Sequence, residues 1–224
     1  MTEMRSHFLE GLKDSRSLGT TELDLFRWFI KQTEEMCGQL EATEKQNLQE
    51  QIDAGDGDLN DSGMVAVDYF RTRVRSSHVM FLASLLESAM KLECERVSSV
   101  LGDQIRFKVS NLKGEPWQAR KLFLEQYGSF QIPTDLWDPI KKMLSVRNAL
   151  AHHNGITSLL TNEQLSSLGK VDGIRVDGPE LEIDASYIEN ASDSVRRLME
   201  FLHHTVNQLI NRAIRPQAIS KNQG

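Results

Sequence analysis

One run of the chain holds the side chains best suited to chemistry: Ser145-Val146-Arg147-Asn148-Ala149-Leu150-Ala151-His152-His153-Asn154-Gly155. A guanidinium stabilises developing negative charge through paired hydrogen bonds, and an imidazole with an unperturbed pKa near ~6.5 takes or gives a proton at neutral pH. Arg147 and His152 are the candidates for these two roles. Asn148 lies four residues before His152, close enough on a helix surface to orient the ring or to touch a phosphate. On a regular helix Arg147 and His152 project about 140° apart, so joint action needs the reach of a long guanidinium or a second subunit. Nine residues separate Met143 from His152, which turns His152 away from the apolar stripe of Met143, Val146 and Leu150, whereas His153 continues that stripe more nearly and is a packing or supporting residue. Asn154-Gly155 supplies the helix stop, since glycine accepts the left-handed conformation that a C-terminal cap needs.

The elements that must hold this run read as helices. After Thr20-Thr21, Leu23, Phe26, Ile30, Cys37 and Leu40 recur at helical spacing as one apolar stripe. The stretch from Asp53 to Gly63 is dense in turn formers and predicts a loop, and its acids fit no calcium-binding register. A longer helix is predicted from about Val65 to Leu101, stopped by Gly102, with Phe70, Val74, Phe81, Leu85, Ala89 and Leu92 as its buried stripe. Another face of that helix carries Met80, Ala83, Ser84, Glu87, Met90 and Cys94. Glu87, bordered by apolar neighbours, would there require a cation, for which Arg147 is the candidate; an exposed glutamate is the alternative.

Further on, Ile105, Phe107 and Val109 alternate as a short strand would, and Pro116 suits the first turn of a short helix through Tyr127 closed by Gly128. Asp138-Pro139 offers an N-cap and a first-turn proline for the helix that carries the central run. Ile174 and Val176, then Leu181 and Ile183, flank Asp177-Gly178, a hairpin signal. Asp184 can cap the last helix, whose stripe is Ile188, Ala191, Val195, Leu198, Leu202, Leu209 and Ala213. The expected fold is all-α, an up-down helical bundle of four or more helices with a small β-hairpin inserted before the last helix. Its expected parts are an N-terminal helix and acidic loop over residues 1–63 packed on the rest, a helical domain over 64–215 and a disordered tail over 216–224.

A formal net charge of −6 argues against a general nucleic-acid coat protein and leaves only local basic groups, Arg71/Arg73/Arg75, Lys141/Lys142 and Arg196/Arg197, of the kind usually found on solvated helix faces. Two cysteines, Cys37 and Cys94, make no disulfide framework and fit a reducing cytoplasm. No apolar run approaches the roughly 18 residues of a membrane span, and no secretory leader pattern opens the chain. The expectation is a soluble cytoplasmic protein without a membrane partner. His203-His204, about 100° apart on a helix, could not readily share one metal, and neither a metal nor another cofactor is expected.

The run from Val146 to His152, followed by Asn154-Gly155, resembles the signature of HEPN domains: an arginine, a polar residue after it, a few intervening positions, then histidine. The resemblance extends to the helix containing Ser84-Leu85-Leu86-Glu87, the Leu112-Lys113-Gly114 turn, the short helix before the run and the hairpin and helix after it, roughly Val65 to Ile214. It implies a helical fold, a homodimer that brings two copies of the run together, and metal-independent endoribonuclease activity leaving 2′,3′-cyclic phosphate ends. Toxin or antiviral-defence roles and control by a cognate antitoxin or regulatory protein follow from it as well. By position, Arg147, Asn148 and His152 are the catalytic residues it implies, with Glu87 as a supporting residue. The alternatives are a HEPN-like module with an inert motif that holds RNA, a nucleotide or another protein, and a structural helical subunit that binds a partner through its N-terminal helix.

Overall fold

The apolar periodicities become helices in the computed structural model, which describes residues 18–55, 60–105 and 115–214. Six α-helices occur among these residues: α1 (Leu18–Asp53), α2 (Ser62–Leu101), α3 (Pro116–Gly128), α4 (Thr134–His153), α5 (Asn162–Leu168) and α6 (Ala185–Ile214). A two-stranded antiparallel pair, β1 (Ile174–Arg175) and β2 (Glu182–Ile183), precedes α6, in the register Ile174 to Ile183 and Arg175 to Glu182. The fold is all-α with a small hairpin before the last helix. No described helix is long and apolar enough to cross a membrane.

Two compact units share these helices. One comprises, among the described residues, 24–55, 60–83 and 141–193, and its buried side chains include Ile30, Val79, Leu82, Met143, Val146 and Leu181. Hydroxyl and guanidinium bonds tie its hairpin: Thr157 donates to the carbonyls of Gly178 and Pro179, and Arg75 donates to the carbonyl of Ile183 at 2.8 Å. The other unit comprises, among the described residues, 18–23, 84–105, 115–140 and 194–214, with Leu86, Met90, Phe123, Leu124, Leu198 and Leu202 buried. Within it Arg96, 2% exposed, reaches Glu93 at 2.7 Å, His203 at 3.1 Å and Asn207, a buried polar pin between α2 and α6.

Several predicted details change. On α2, Phe70 and Phe81 stand 40% and 43% exposed while Val67, Val79, Leu82 and Met90 are buried. This helix carries apolar residues on nearly every face, so periodicity alone does not choose the buried one. Leu40 on α1 is also exposed, and on α6 Val206 and Ile210 are buried where Leu209 is only half-buried. Helix α4 begins at Thr134, leaving Pro139 inside it rather than at its first position. Trp137 and Ile140 are buried in its first turns, and their packing outweighs one missing backbone donor. Helix α3 starts with Pro116 as expected, but the left-handed residue after it is Ser129, not Gly128. The hairpin's strands are joined by Val176 to Leu181 instead of a two-residue turn. The Phe107–Val109 strand, the Leu112-Lys113-Gly114 turn and the 216–224 tail lie outside the described residues, as does part of the acidic loop.

Candidate functional site

Helix α4 presents the run as its apolar positions dictate. Met143, Val146, Ala149 and Leu150 are buried, so the side chains between them are turned outward: Ser145 and His152 are exposed, Arg147 and Asn148 half-buried. Lys141, Ser145, Asn148 and His152 follow one another at four, three and four residues and share one face. Arg147 lies at the edge of that face and donates to the side-chain oxygen of Asn148 at 3.1 Å. His152 faces away from its own core, as its spacing predicts, and makes no hydrogen bond or ion pair among the described residues. His153 is half-buried.

The helix ends where Asn154-Gly155 was expected to end it. Asn154 and Gly155 both take positive φ, 51° and 75°. The Gly155 N–H donates to the carbonyl of Ala149 at 3.2 Å, closing the last turn, and the Gly155 carbonyl accepts from Leu181 N–H at 2.7 Å. A second cation reaches this end: Arg73 on α2 donates to the carbonyl of Asn154 at 3.5 Å and to Glu180 at 2.8 Å, and it lies 4.8 Å from the centre of the exposed Tyr69 ring. Tyr69 carried no sequence signal for this position; Arg73 stood only in a basic group.

Glu87 does not take Arg147 as its cation. Its carboxylate lies 3.0 Å from Arg120, a residue of α3. Arg71, Arg73 and Arg75 are not a basic patch, because each is spent on a carboxylate, Glu41, Glu180 and Glu34 respectively. Two charge-paired hydrogen bonds, from Lys45 first and Arg71 second, hold the Glu41 carboxyl down at about 2. Arg27, Arg96, Arg120, Arg175 and Arg197 have carboxylate partners as well. Among the described residues Arg147 has none, and its hydrogen bond goes to a neutral amide. Neither cysteine is a reactive thiol: both are buried, and desolvation pushes Cys94 up to about 12.

A pocket of about 150 Å³ opens beside Asn148, between α4 and α5, lined by Ser145, Asn148, Ala149, Gln164, Ser167 and Leu168. Helix α5 was not anticipated from the sequence, although Thr161-Asn162-Glu163-Gln164 is a capping-box pattern. The structure forms that box, with the Thr161 hydroxyl accepting from Gln164 N–H and the Gln164 side chain accepting from Thr161 N–H. The two histidines on α6 take separate partners, His203 with Glu93 and Arg96, His204 with Gln208. Comparison with protein-family models, curated proteins and solved structures gives no match to this chain.

Proposed function

We propose that this chain is a HEPN-like, metal-independent endoribonuclease that cuts single-stranded RNA at a composite cleft formed by two copies, of the toxin or antiviral-defence type. The observation that carries this reading is the state of Arg147: a half-buried cation that no described carboxylate neutralises, in a unit whose other core-edge arginines are paired. A partly desolvated guanidinium without an acid is poised for an external anion. An exposed, unpartnered histidine stands one turn beyond the amide that Arg147 holds.

In the reaction His152 takes the proton from a 2′-hydroxyl as that oxygen bonds to the neighbouring phosphorus. Arg147 stabilises the charge that grows on the phosphoryl oxygens. The bond from phosphorus to the 5′-oxygen breaks, a protonated imidazole returns a proton to that oxygen, and the products are a 2′,3′-cyclic phosphate and a 5′-hydroxyl. Asn148 accepts from Arg147 at 3.1 Å and so keeps the guanidinium oriented on the outward side of α4. Arg147 and His152 remain about 140° apart around α4, so the histidine of a second copy completes the site.

A second copy has a surface to cover. On α1 Leu25, Trp28, Phe29, Met36 and Leu40, and on α2 Phe70 and Phe81, are each 40–65% exposed. At ~200 Å² for a large apolar side chain these leave roughly 700 Å² of apolar surface in total, of the order of one partner's share of a stable interface. Helix α2 carries two residues of this face and, one turn from Phe70, the Arg73 that reaches the end of α4.

The test is cleavage of single-stranded RNA by purified protein with EDTA present. Cyclic-phosphate ends are expected, with cleavage abolished in His152→Ala and Arg147→Ala while both remain folded. Cleavage that persists in both variants refutes the assignment; intact RNA bound in an Arg147-dependent manner would favour the inert binding module.

A further inference from the structure

The pocket beside Asn148 has a fixed hydrogen-bonding polarity. The Asn148 side-chain oxygen is committed to Arg147 at 3.1 Å, and the Gln164 side-chain oxygen to Thr161 N–H at 2.8 Å. Both amides therefore keep their amine groups free, and no described residue accepts from either. The Ser145 hydroxyl is spent on the carbonyl of Lys141, whereas the Ser167 hydroxyl holds no partner among the described residues. Ala149 and Leu168, both buried, supply an apolar floor. No formal charge lines the pocket, which fits an uncharged ring better than a phosphate.

We infer that this pocket is a base-reading subsite that takes a single uracil of the RNA. Two amine groups call for two acceptors, and uracil presents carbonyls on either side of one N–H; the carbonyls accept from Asn148 and Gln164, and the N–H donates to the Ser167 hydroxyl. With the hydroxyl between the two amines, cytosine and adenine each bring an exocyclic amine against a donor; cytosine would fit only with Ser167 at the end of the row, accepting from that amine. Guanine's two neighbouring acceptors, O6 and N7, have no N–H between them for the Ser167 hydroxyl to accept. The alkyl carbons of Ala149 and Leu168 would lie against the ring face. This subsite rests on the ribonuclease reading only for its consequence, a cleavage preference; binding tests it separately.

The decisive variant is Gln164→Glu. A glutamate keeps the capping box, which accepts either residue, and replaces the amine by an oxygen. Binding of uridine, cytidine, adenosine and guanosine-containing hexanucleotides is measured by fluorescence anisotropy on full-length His152→Ala protein, with and without Gln164→Glu, while cleavage positions are mapped on mixed-sequence RNA with the unaltered protein. We expect uridine to bind about tenfold tighter than the others, the preference to collapse in Gln164→Glu whatever the overall loss of affinity, and cuts to fall beside uridines. Any other order of bases, or a uridine preference that survives Gln164→Glu and Gln164→Ala alike, overturns the subsite. His152-dependent cleavage without base preference would refute the subsite and leave the ribonuclease. Gln164-dependent uridine binding without cleavage would do the reverse.

Discussion

Arg147 donates to the side-chain oxygen of its neighbour Asn148 at 3.1 Å, and this bond fixes a cation and a free amine on the outward side of α4 while consuming no carboxylate. Because no buried acid depends on Arg147, its removal leaves no orphaned charge behind. Arg147→Ala is expected to change the unfolding free energy by less than about 1 kcal/mol, yet to lower cleavage by ~10²-fold or more, as loss of a donor to a developing oxyanion does. Asn148→Ala should cost less in rate, since it removes the orienting amide and not the charge. Urea unfolding measured beside single-turnover RNA cleavage separates the two effects.

Arg96 is the opposite case. It is 2% exposed and lies 2.7 Å from Glu93, itself 5% exposed. Arg96→Met strands Glu93 in the core with His203 as its remaining neighbour at 3.3 Å, and should cost ~3–5 kcal/mol. Replacing Glu93 by leucine in the same chain removes the stranded charge and should recover most of that loss. Equal denaturant midpoints for the single and double variants would show that the pair is not what holds this position.

The contrast explains what the sequence could disclose. The longer helices, the presence of a hairpin and the stop at Asn154-Gly155 follow from local spacing and turn chemistry and are legible; α5 and the length of the hairpin's connection are not. The outward face of His152 was legible too, because Met143, Val146 and Leu150 fix the rotation of α4. Partner choice was not: Glu87 has candidate cations on several helices, and only folding selects Arg120 over Arg147. On α2 the spacing finds Leu85, which is buried, but not the exposure of Phe70 and Phe81, which are as apolar as the residues that pack. Tyr69, Gln164 and Ser167 reach the motif or its pocket from elements distant in sequence, which no spacing rule connects.

Acid should loosen the α1–α2 packing before it titrates the surface acids. His78 is 2% exposed; its ring lies edge-on to Phe26 and Phe29 and 3.5 Å from the Thr33 hydroxyl, with Glu34 and Arg75 as its charged neighbours. Burial holds its pKa below the ordinary value, so the folded chain keeps the ring neutral where the unfolded chain protonates it. Its stabilising share is complete above pH ~6.5 and is lost as pH falls from there toward the folded value. Glu34, lowered chiefly by its hydrogen bond from Arg75, acts in a separate window: its contribution is present above the ordinary carboxylate pKa and fades as pH falls below it. Urea midpoints should therefore decline between pH 7 and 5, and His78→Leu should flatten that decline; an unchanged slope in the variant would assign it elsewhere.

If the exposed α1–α2 face holds a second copy, charge placed there should separate the copies and silence the site together. Light scattering at micromolar concentration is expected to give a dimer for the unaltered chain and a monomer for Leu25→Glu/Phe29→Glu, with helical content retained because both positions are already exposed. Cleavage should fall by ~10²-fold or more in the double variant with Arg147 and His152 untouched, since each half-site then lacks its completing histidine. A variant that stays dimeric moves the interface to another surface; an unaltered chain that is monomeric and active removes the composite cleft.

The end of α4 offers the finest control on the geometry. Gly155 has φ of 75°, and a Cβ added there would meet Leu150 Cδ2 at 3.2 Å. Gly155→Ala thus combines left-handed strain with crowding and should destabilise by ~1–2 kcal/mol. Relieving the backbone strain by shifting the last turn would move His152, so cleavage should fall further than the loss of folded protein explains. Asn154 holds φ of 51°, a conformation that glycine adopts without cost. Asn154→Gly keeps the backbone carbonyl that Arg73 grips and should leave stability within about 0.5 kcal/mol. The two variants bracket the cap: if activity follows the position of the last turn, Asn154→Gly retains it and Gly155→Ala does not, at matched fractions folded by circular dichroism.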